Sequence, residues 1–461
     1  MIVLLCALAS AVCFFFSVDL GTLWPLAWIA PIPILWVAFG ETRGRTSFFA
    51  AWAAGVLGGL NLLPAYLGSL PIPALIVGIV LPGLTFAASV MGARLVARRI
   101  SPLAGIFAFA ALWTAWDYLV SFGPDGAALS PAYSQVGAPY LIQGASLFGL
   151  WVVTFLIGFV SAGLAMSLAT KNARPAVLAV VLFAVNAGFG VWRIAEAPHG
   201  QTLHIGLGVD DALASASFRP DEKTALEAVR VYAAATRTLA ERGARFIVFP
   251  EKLAILEPAW RGAVLAELET AAHVTHTTIV VGFDDRTAER QNNALIFFAN
   301  GSPPALYTKR HLMPGLENDF VPGHSSFMLA DRTAVAICRD MDFPAMLKSD
   351  AILHPSLFAV PAWDFDRDRW GHARLAIMRG VENGFAVARA AKDGLLTLTD
   401  AYGRLMAIKP SESGGMVMLV GDLQRGPGET SYATIGDTFA WACLGLGLLL
   451  LGWTVRIPKR P

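Results

Sequence analysis

The chain has 461 residues, of which 55% are hydrophobic and 15% are charged, and its mean hydropathy is +0.56. This composition excludes an ordinary soluble globular protein and predicts an integral membrane protein. The formal net charge is only +1 and no basic stripe is present, so we predict no nucleic-acid partner.

Long apolar segments fill the first 193 residues, and one more lies near the C-terminus. Short polar connections separate them, which is the pattern of membrane-spanning helices. The first segment lacks a basic leader and a small-residue cleavage site, so we interpret it as an anchor and not as a signal peptide. The predicted spans are 2–18, 23–40, 48–68, 72–93, 101–120, 143–168, 175–192 and 436–454.

Three domains follow from this pattern: a transmembrane domain of about seven helices over 1–193, a polar domain over 200–422, and a last transmembrane helix over 433–455. Few ionisable residues lie inside the spans, and Asp19 and Asp117 fall near span ends. Transporters usually carry buried charges along a pathway, so the pattern argues against transport.

Lysine and arginine occur in alternate connections, while 69–71 and 121–140 contain neither. The positive-inside bias therefore predicts that both termini are cytoplasmic and that the polar domain lies on the far side. In a Gram-negative cell this places the protein in the inner membrane with its polar domain in the periplasm. The basic residues are Arg43, Arg45, Arg94, Arg98, Arg99, Lys171, Arg174, Arg456, Lys459 and Arg460.

Short β-rich runs alternate with helical runs in the polar domain, which predicts a layered α/β domain. Predicted helices cover 220–242, 258–276 and 366–381. Predicted strands cover 202–208, 244–249, 278–283, 294–299, 333–337, 356–361, 384–390, 394–400 and 415–420.

Three strand-like runs of this domain deliver reactive side chains. FIVFPE ends in Glu251, YTKRHLMP supplies Lys309, and TAVAICRDMDFP delivers Cys338, the single cysteine of the polar domain. Free cysteines are usually buried and structural, but a carboxylate, a lysine and a cysteine in this setting indicate acyl transfer. Glu251 would act as general base, Cys338 as nucleophile, and Lys309 would lower the thiol pKa and, with the backbone N–H after Cys338, stabilise the oxyanion.

The order FPE, YTKRHLMP, ICRDMDFP resembles the Glu-Lys-Cys triad of the nitrilase, or carbon–nitrogen hydrolase, superfamily. The branch it resembles most is the apolipoprotein N-acyltransferases, through the segments 134–151, 307–323, 366–391 and 432–441. The resemblance implies an α-β-β-α sandwich inserted between membrane helices, and no cofactor or metal. It also implies a phospholipid acyl donor, a thioester intermediate, and the amine of a diacylglyceryl apolipoprotein as acceptor, with membrane lipids as further partners.

Other residues receive roles from the resemblance or from their position. Glu317 resembles a second glutamate of the superfamily that assists the lysine. Candidates for substrate binding are Arg339, Asp340, Trp363 and Asn293, although Asn293 also suits a turn and Trp363 a packed core. His311, His324 and His372 show no metal-ligand spacing, so we predict no metal site.

The sequence departs from the acyltransferase pattern at three places. Phe249 replaces a tryptophan before Pro-Glu, Arg339-Asp340 replaces Tyr-Glu after the nucleophile, and 314–317 reads Pro-Gly-Leu-Glu instead of Pro-Phe-Gly-Glu. Residues beside a nucleophile shape substrate pockets. The alternatives are therefore a membrane-tethered amidase or nitrilase, an acyltransferase for a different amine, or an inactive scaffold that binds lipoproteins.

Overall fold

The computed structural model describes residues 1–197 and 202–456. They form two compact units. The helical unit contains residues 1–197 and 430–456, and the sandwich unit contains residues 202–429. Lys459 and Arg460, used in the topology prediction, lie outside the described residues.

The helices are α1 Ile2–Ser17, α2 Leu26–Ile29, α3 Ile32–Phe39, α4 Gly44–Gly59, α5 Leu63–Tyr66, α6 Ile72–Arg99, α7 Pro102–Val120, α8 Ala145–Phe148, α9 Trp151–Thr170, α10 Arg174–Ala195, α11 Glu222–Glu241, α12 Arg261–Thr275, α13 Pro344–Ala351, α14 Arg369–Asn383, α15 Ser431–Ile435 and α16 Thr438–Arg456.

The strands are β1 Thr202–Val209, β2 Phe246–Val248, β3 Ile255–Leu256, β4 Thr278–Asp285, β5 Gln291–Phe297, β6 Ala305–Thr308, β7 Thr333–Val335, β8 Leu357–Trp363, β9 Ala386–Lys392, β10 Leu395–Thr399, β11 Leu405–Pro410 and β12 Val417–Gln424.

Apolar helices occupy each predicted membrane span. Within the described residues, six are long and apolar enough to cross a bilayer, and two shorter apolar helices cover Ile2–Ser17 and Leu26–Phe39. The second span breaks at Pro31, because proline lacks the N–H that would continue the helix. The sixth starts at Trp151 and not at 143, because Gly149 turns the chain with a φ of +73°. The six longer helices are Gly44–Tyr66, Ile72–Arg99, Pro102–Val120, Trp151–Thr170, Arg174–Ala195 and Thr438–Arg456.

Burial within the helical unit separates inner from outer helices. In the most apolar windows of α7 and α9, 61% and 67% of the residues are buried, against 17% for α10 and 22% for α16. Valines and leucines such as Val181, Val185 and Leu449 therefore lie on the outside of the bundle. A broad apolar exterior is unfavourable in water and suits contact with lipid hydrocarbon.

Asp117 joins two inner helices of this unit. Its Oδ2 atom accepts hydrogen bonds from the hydroxyls of Ser130 at 2.7 Å and Thr154 at 2.6 Å. Because Thr154 lies on α9 and Asp117 on α7, the carboxylate links the two helices.

The sandwich unit is built on two sheets. The first has the order β12-β1-β2-β4-β5-β6, with β3 paired to β4, and the second has the order β11-β10-β9-β8-β7. Strands β1-β2-β4 and β7-β8-β9 run parallel, and β3 is parallel to β4. Strands β12, β5, β6, β10 and β11 pair antiparallel with their neighbours.

Alternating side chains separate the layers of the sandwich. In β4, Ile279 and Val281 pack under helices α11 and α12, while Val280 faces the second sheet. In β8, Ala359 lies between the sheets, and Phe358 packs on the other face, towards α13 and α14. A strand buried on both faces needs apolar residues at every position, which explains the continuous apolar runs of the sequence. The predicted α-β-β-α sandwich is confirmed.

Each predicted strand and helix of this unit has a counterpart in the structure. The prediction missed β3, β6, β11 and α13. β3 has only two residues, and β11 is largely exposed, so neither leaves a clear apolar run. Helix α13 has eight residues and closely follows the turn at Cys338–Asp342, so the sequence gives no clear signal for where the helix begins.

Candidate active site

Three strand ends bring the predicted reactive residues to one region of the sandwich. Glu251 lies three residues after β2, Lys309 directly follows β6, and Cys338 lies three residues after β7. Side chains that follow a buried strand are held by a rigid backbone, and the carboxyl ends of parallel strands are a common place for ligand sites.

A buried ion cluster joins two of these residues to the predicted assisting glutamate. The Lys309 Nζ atom lies 2.8 Å from Oε1 of Glu251 and 2.9 Å from Oε2 of Glu317. All three side chains are at most 3% exposed. Charges buried to this degree require close partners, and here each carboxylate has the same ammonium group.

Asn292 is a further member of this cluster that the sequence did not reveal. Its side-chain amide donates to Oε1 of Glu251 at 2.5 Å and to Oε1 of Glu317 at 2.9 Å. The predicted residue, Asn293, points to the opposite face of β5 and contacts Asp285 at 3.3 Å and Thr308 at 2.8 Å. Substrate contact by Asn293 stays a prediction.

The two glutamates have different hydrogen-bonding states. Both oxygens of Glu317 are occupied, Oε2 by Lys309 and the Met313 N–H at 2.7 Å, and Oε1 by Asn292 and the Lys252 ammonium. Burial raises the pKa of Glu317, but the charges of Lys309 and Lys252 lower it further, so the net pKa lies far below the usual range. Glu317 therefore remains an anion.

Glu251 keeps one oxygen available. Lys309 and Asn292 both bind Oε1, and among the described residues Oε2 has no hydrogen-bond donor. A carboxylate that is fixed by one oxygen and open at the other is suited to accept a proton.

Cys338 begins a turn of 3₁₀ helix with a φ of +45°, a backbone conformation that residues other than glycine adopt rarely. Its thiol lies 3.4 Å from the carbonyl oxygen of Trp363, to which it can donate. Burial and the charge of Glu251 raise the pKa of the thiol, Lys309 and Arg389 oppose them, and the net pKa lies well above the ordinary value.

The charge of Lys309 lowers the pKa of the Cys338 thiol, in the direction predicted from the sequence. Burial of Cys338 in the sandwich raises the thiol pKa by more than the Lys309 ammonium lowers it. Cys338 is a neutral thiol at rest, so its reaction as a nucleophile requires a base.

A second buried ion pair lies near the thiol, and the sequence analysis did not single it out. The Arg389 guanidinium binds both oxygens of Asp364, with Nη1 at 2.9 Å from Oδ2. Burial raises the pKa of Asp364, while Arg389 opposes that rise. Arg389 thereby places a second positive charge close to Cys338.

Asp340 is fully buried and contacts protein donors with both oxygens. Oδ2 accepts from the Tyr307 hydroxyl at 2.6 Å and the Ile337 N–H at 3.0 Å, and Oδ1 accepts from the N–H groups of Arg310 and His311 at 3.2 and 2.9 Å. These bonds join the Lys309 loop to the Cys338 turn.

Arg339 and Trp363 are also held by protein groups. The Arg339 guanidinium donates to the carbonyl oxygen of Leu312 at 2.7 Å. The Trp363 indole donates to Asp393 at 2.8 Å, and the Lys392 ammonium lies 3.7 Å from the centroid of the Trp363 ring. Contact of Arg339, Asp340 or Trp363 with substrate stays a prediction.

The three histidines occupy separate positions. His311 stacks on the Phe343 ring with 3.6 Å between centroids, His324 is exposed, and His372 lies 2.7 Å from Asp368. None of them contacts Glu251 or Lys309 within the described residues.

Taken together, a cysteine of intermediate exposure, a carboxylate open at one oxygen and a buried ammonium group meet the requirements of acyl transfer through a thioester. The carboxylate can take the thiol proton, and the ammonium can stabilise an oxyanion.

Comparisons with known proteins bear on the whole chain. Residues 10–163 match the family model described as "Apolipoprotein N-acyltransferase N-terminal domain". The chain is 24% identical to an apolipoprotein N-acyltransferase of Geobacter metallireducens, covering 91% of this chain and 89% of that protein. It is 25% identical to one from Azotobacter vinelandii, covering 94% and 91%, and 28% identical to one from Methylococcus capsulatus, covering 75% and 73%.

Among solved structures, an amidase from Nesterenkonia sp. matches with 21% identity and a TM-score of 0.43, covering 54% of this chain and 98% of that one. The sequence matches extend through both the helical unit and the sandwich unit, and they agree with the resemblance that the triad motifs indicated. The chain is thus similar, over most of its length, to apolipoprotein N-acyltransferases.

Proposed function

We propose that this protein transfers a fatty acyl chain from a membrane phospholipid, through a thioester on Cys338, to the N-terminal amine of an S-diacylglyceryl-cysteine apolipoprotein. The observation that carries the proposal is the buried cluster of Glu251, Lys309 and Glu317 beside a neutral thiol, in a chain whose relatives bear the name of this activity. Its product would be a triacylated lipoprotein.

In the first half-reaction, Oε2 of Glu251 takes the proton of the Cys338 thiol as the sulfur attacks the ester carbonyl of the phospholipid. The carbonyl oxygen becomes an oxyanion, which the Lys309 ammonium stabilises. The oxyanion collapses, the C–O ester bond breaks, and protonated Glu251 returns its proton to the departing lysophospholipid hydroxyl. The enzyme then holds the acyl chain as a thioester.

In the second half-reaction, the α-amine of the apolipoprotein cysteine attacks the thioester carbonyl. Glu251 takes a proton from the attacking nitrogen, the C–S bond breaks, and the sulfur recovers a proton to regenerate the Cys338 thiol. The same base serves both halves, as a ping-pong route requires. Glu317 keeps the Lys309 ammonium in place throughout.

The membrane setting supports a lipid as the donor. The alternation of basic connections favours cytoplasmic termini and a polar domain in the periplasm of a bacterial inner membrane. The periplasm supplies neither ATP nor acyl-CoA, so the acyl chain would come from a phospholipid that already carries an ester. The triad itself requires no cofactor or metal.

Intact mass spectrometry tests the proposal. The purified chain is incubated with phospholipid beside a Cys338→Ala control, and a diacylated lipopeptide is then added. We expect a mass increase equal to one fatty acyl group, mapped to Cys338, which disappears as the lipopeptide gains the same mass. The alanine variant should form no adduct.

Other outcomes are equally informative. An adduct that is released only to water or to another amine would support the triad and replace the acceptor, giving a hydrolase or a different N-acyltransferase. If no adduct forms with any phospholipid, the assignment of a phospholipid as acyl donor is wrong. If Cys338→Ala retains wild-type function, the protein does not act through a cysteine thioester, and the alternative of an inactive scaffold that binds lipoproteins would be favoured.

A further inference from the structure

Lys252, the residue directly after the proposed base, reaches back into the same ion cluster. Its backbone has a φ of +48°, and its ammonium forms an ion pair with Oε1 of Glu317. The Lys252 side chain is 16% exposed and that of Glu317 is 1% exposed. Lys309 binds the other oxygen, Oε2, so Glu317 lies between two ammonium groups.

The second lysine changes the charge of the cluster. Glu251 and Glu317 contribute two negative charges, and Lys309 and Lys252 contribute two positive ones. The cluster is therefore neutral before reaction and carries one positive charge once Glu251 has taken the thiol proton. Without Lys252 it would begin negative. Two members of the cluster, Glu251 and Lys309, act on the Cys338 thiol, so the net charge of the cluster affects the stability of the thiolate.

We propose that Lys252 is a positioning residue of this site: by holding the oxygen of Glu317 that Lys309 does not contact, it fixes the Lys309 ammonium and supplies a positive charge that favours the thiolate form of Cys338. The proposal rests on the proposed function only in taking Cys338 as the nucleophile.

Several contacts fix Lys252 from other elements. Its carbonyl oxygen accepts from the Ser217 hydroxyl and from the Lys392 ammonium, the latter at 2.8 Å. Its own ammonium lies 4.8 Å from the centroid of the Phe320 ring. A residue held by its carbonyl, its ammonium and a left-handed backbone has little freedom to leave Glu317. The charged groups around it are Glu251, Glu317, Lys309, Lys392 and, across Phe320, Arg290.

Lys392 does not substitute for Lys252 in this role. Its ammonium donates to the Ser217 hydroxyl at 2.7 Å and to the Lys252 carbonyl, and it has no direct carboxylate partner among the described residues. Burial lowers the pKa of Lys392 to about 7, with Glu251 opposing that shift. Lys392 thus supports the Lys252 backbone, while Lys252 contacts the carboxylate.

The test is the pH dependence of alkylation at Cys338 in the purified full chain. Lys252→Gln removes the charge and keeps a polar side chain, Lys252→Arg keeps the charge, and Lys223→Gln removes an exposed lysine of α11 as the matched control. Iodoacetamide reacts with the thiolate, so the rate at Cys338, followed by peptide mass mapping, reports the fraction of thiolate.

We expect the midpoint of the profile to move upward by about one pH unit in Lys252→Gln. In Lys252→Arg and Lys223→Gln the midpoint should equal that of the wild-type protein. Because a disturbed fold alters the rate at all pH values, the midpoint separates a charge effect from a structural one. The melting temperature of each variant identifies any that fail to fold.

Coinciding midpoints for Lys252→Gln and wild type would overturn the proposal, as would an arginine variant that shifts as far as the glutamine variant. The alkylation profile does not depend on the substrate. If wild-type protein forms no acyl adduct with phospholipid, the proposed function fails, while the comparison of variants still decides the role of Lys252.

Discussion

The hydroxyl of Tyr307 donates a 2.6 Å hydrogen bond to the buried carboxylate of Asp340. Tyr307 lies on β6, two residues before Lys309, and Asp340 lies two residues after Cys338. This contact is one of several that join the segment carrying the ammonium to the segment carrying the thiol. Burial raises the pKa of Asp340, but the hydrogen bonds from His311, Tyr307 and the Ile337 N–H lower it further, so Asp340 is an anion.

The Asp340 contact predicts a contrast between two conservative substitutions. Asp340→Asn presents an amide N–H₂ to groups that are all donors, so we expect a loss of about 2–4 kcal/mol in the free energy of unfolding and slower acylation of Cys338. Tyr307→Phe removes one of four donors and should cost about 1 kcal/mol. Thermal melting of the two variants, with acyl-adduct formation followed on the same samples, measures both effects. Equal stability of the two would contradict the prediction.

Glu251→Gln tests the base. Glutamine keeps the size of the side chain but cannot take the thiol proton, so the rate of acyl-adduct formation should fall by about 10²- to 10⁴-fold. The control is Glu257→Gln, which alters a glutamate paired with Arg286 at 3.8 Å and away from Cys338. Near-normal acylation in Glu251→Gln, measured by intact mass over a time course, would show that another group accepts the proton.

Asn292 and Asn293 form a matched pair of neighbours on opposite faces of β5. Asn292→Ala removes the amide that bridges the two glutamates, and the loss of hydrogen bonds to charged groups should slow acylation by about tenfold or more. Asn293→Ala removes side-chain contacts with Asp285 and Thr308 only. Because Asn293 shares no side-chain partner with Glu251, Glu317 or Lys309 among the described residues, the rate should stay within about twofold of wild type. The reverse order of rates would place Asn293 at the site instead.

The sequence could predict the residues that stand at strand ends. Glu251, Lys309 and Cys338 each follow a short apolar run, and the chain must change from buried to polar at that point. This local signal needs no knowledge of the partner strands. The same reasoning predicted the alternation of strands and helices in the sandwich, because each apolar run is long enough to indicate its own secondary structure.

The remaining parts of the site depend on contacts between distant segments. The choice between Asn292 and Asn293 depends on the register of β5, because a shift of one residue exchanges the two faces. Arg389 lies within the fully buried strand β9, and its partner Asp364 follows β8, so the pair is visible only when the parallel register is known. The raised thiol pKa has the same origin, since the burial of Cys338 comes from packing between segments that are distant in the sequence.

His372 gives a prediction for pH dependence. Its Nε2 atom lies 2.7 Å from Oδ2 of Asp368 at the start of α14, where the Asp368 side chain is buried and that of His372 is 15% exposed. Burial lowers the pKa of His372, but the carboxylates of Asp368, Asp364 and Asp342 raise it more, from 6.5 to about 9. Because the pKa in the folded protein is the higher one, the stabilisation is complete below about pH 6.5 and is lost as the pH rises through about 9.

The contribution of this pair amounts to at most about 3 kcal/mol. We expect the melting temperature of wild-type protein to fall relative to that of His372→Gln between pH 6.5 and 9, so that the difference between the two curves shrinks across this range. Comparing the two proteins cancels the titration of groups that they share, such as Lys392. His324→Gln, which changes an exposed histidine, should run parallel to wild type. Parallel curves for His372→Gln and wild type would mean that the His372–Asp368 pair is not charged in the folded protein.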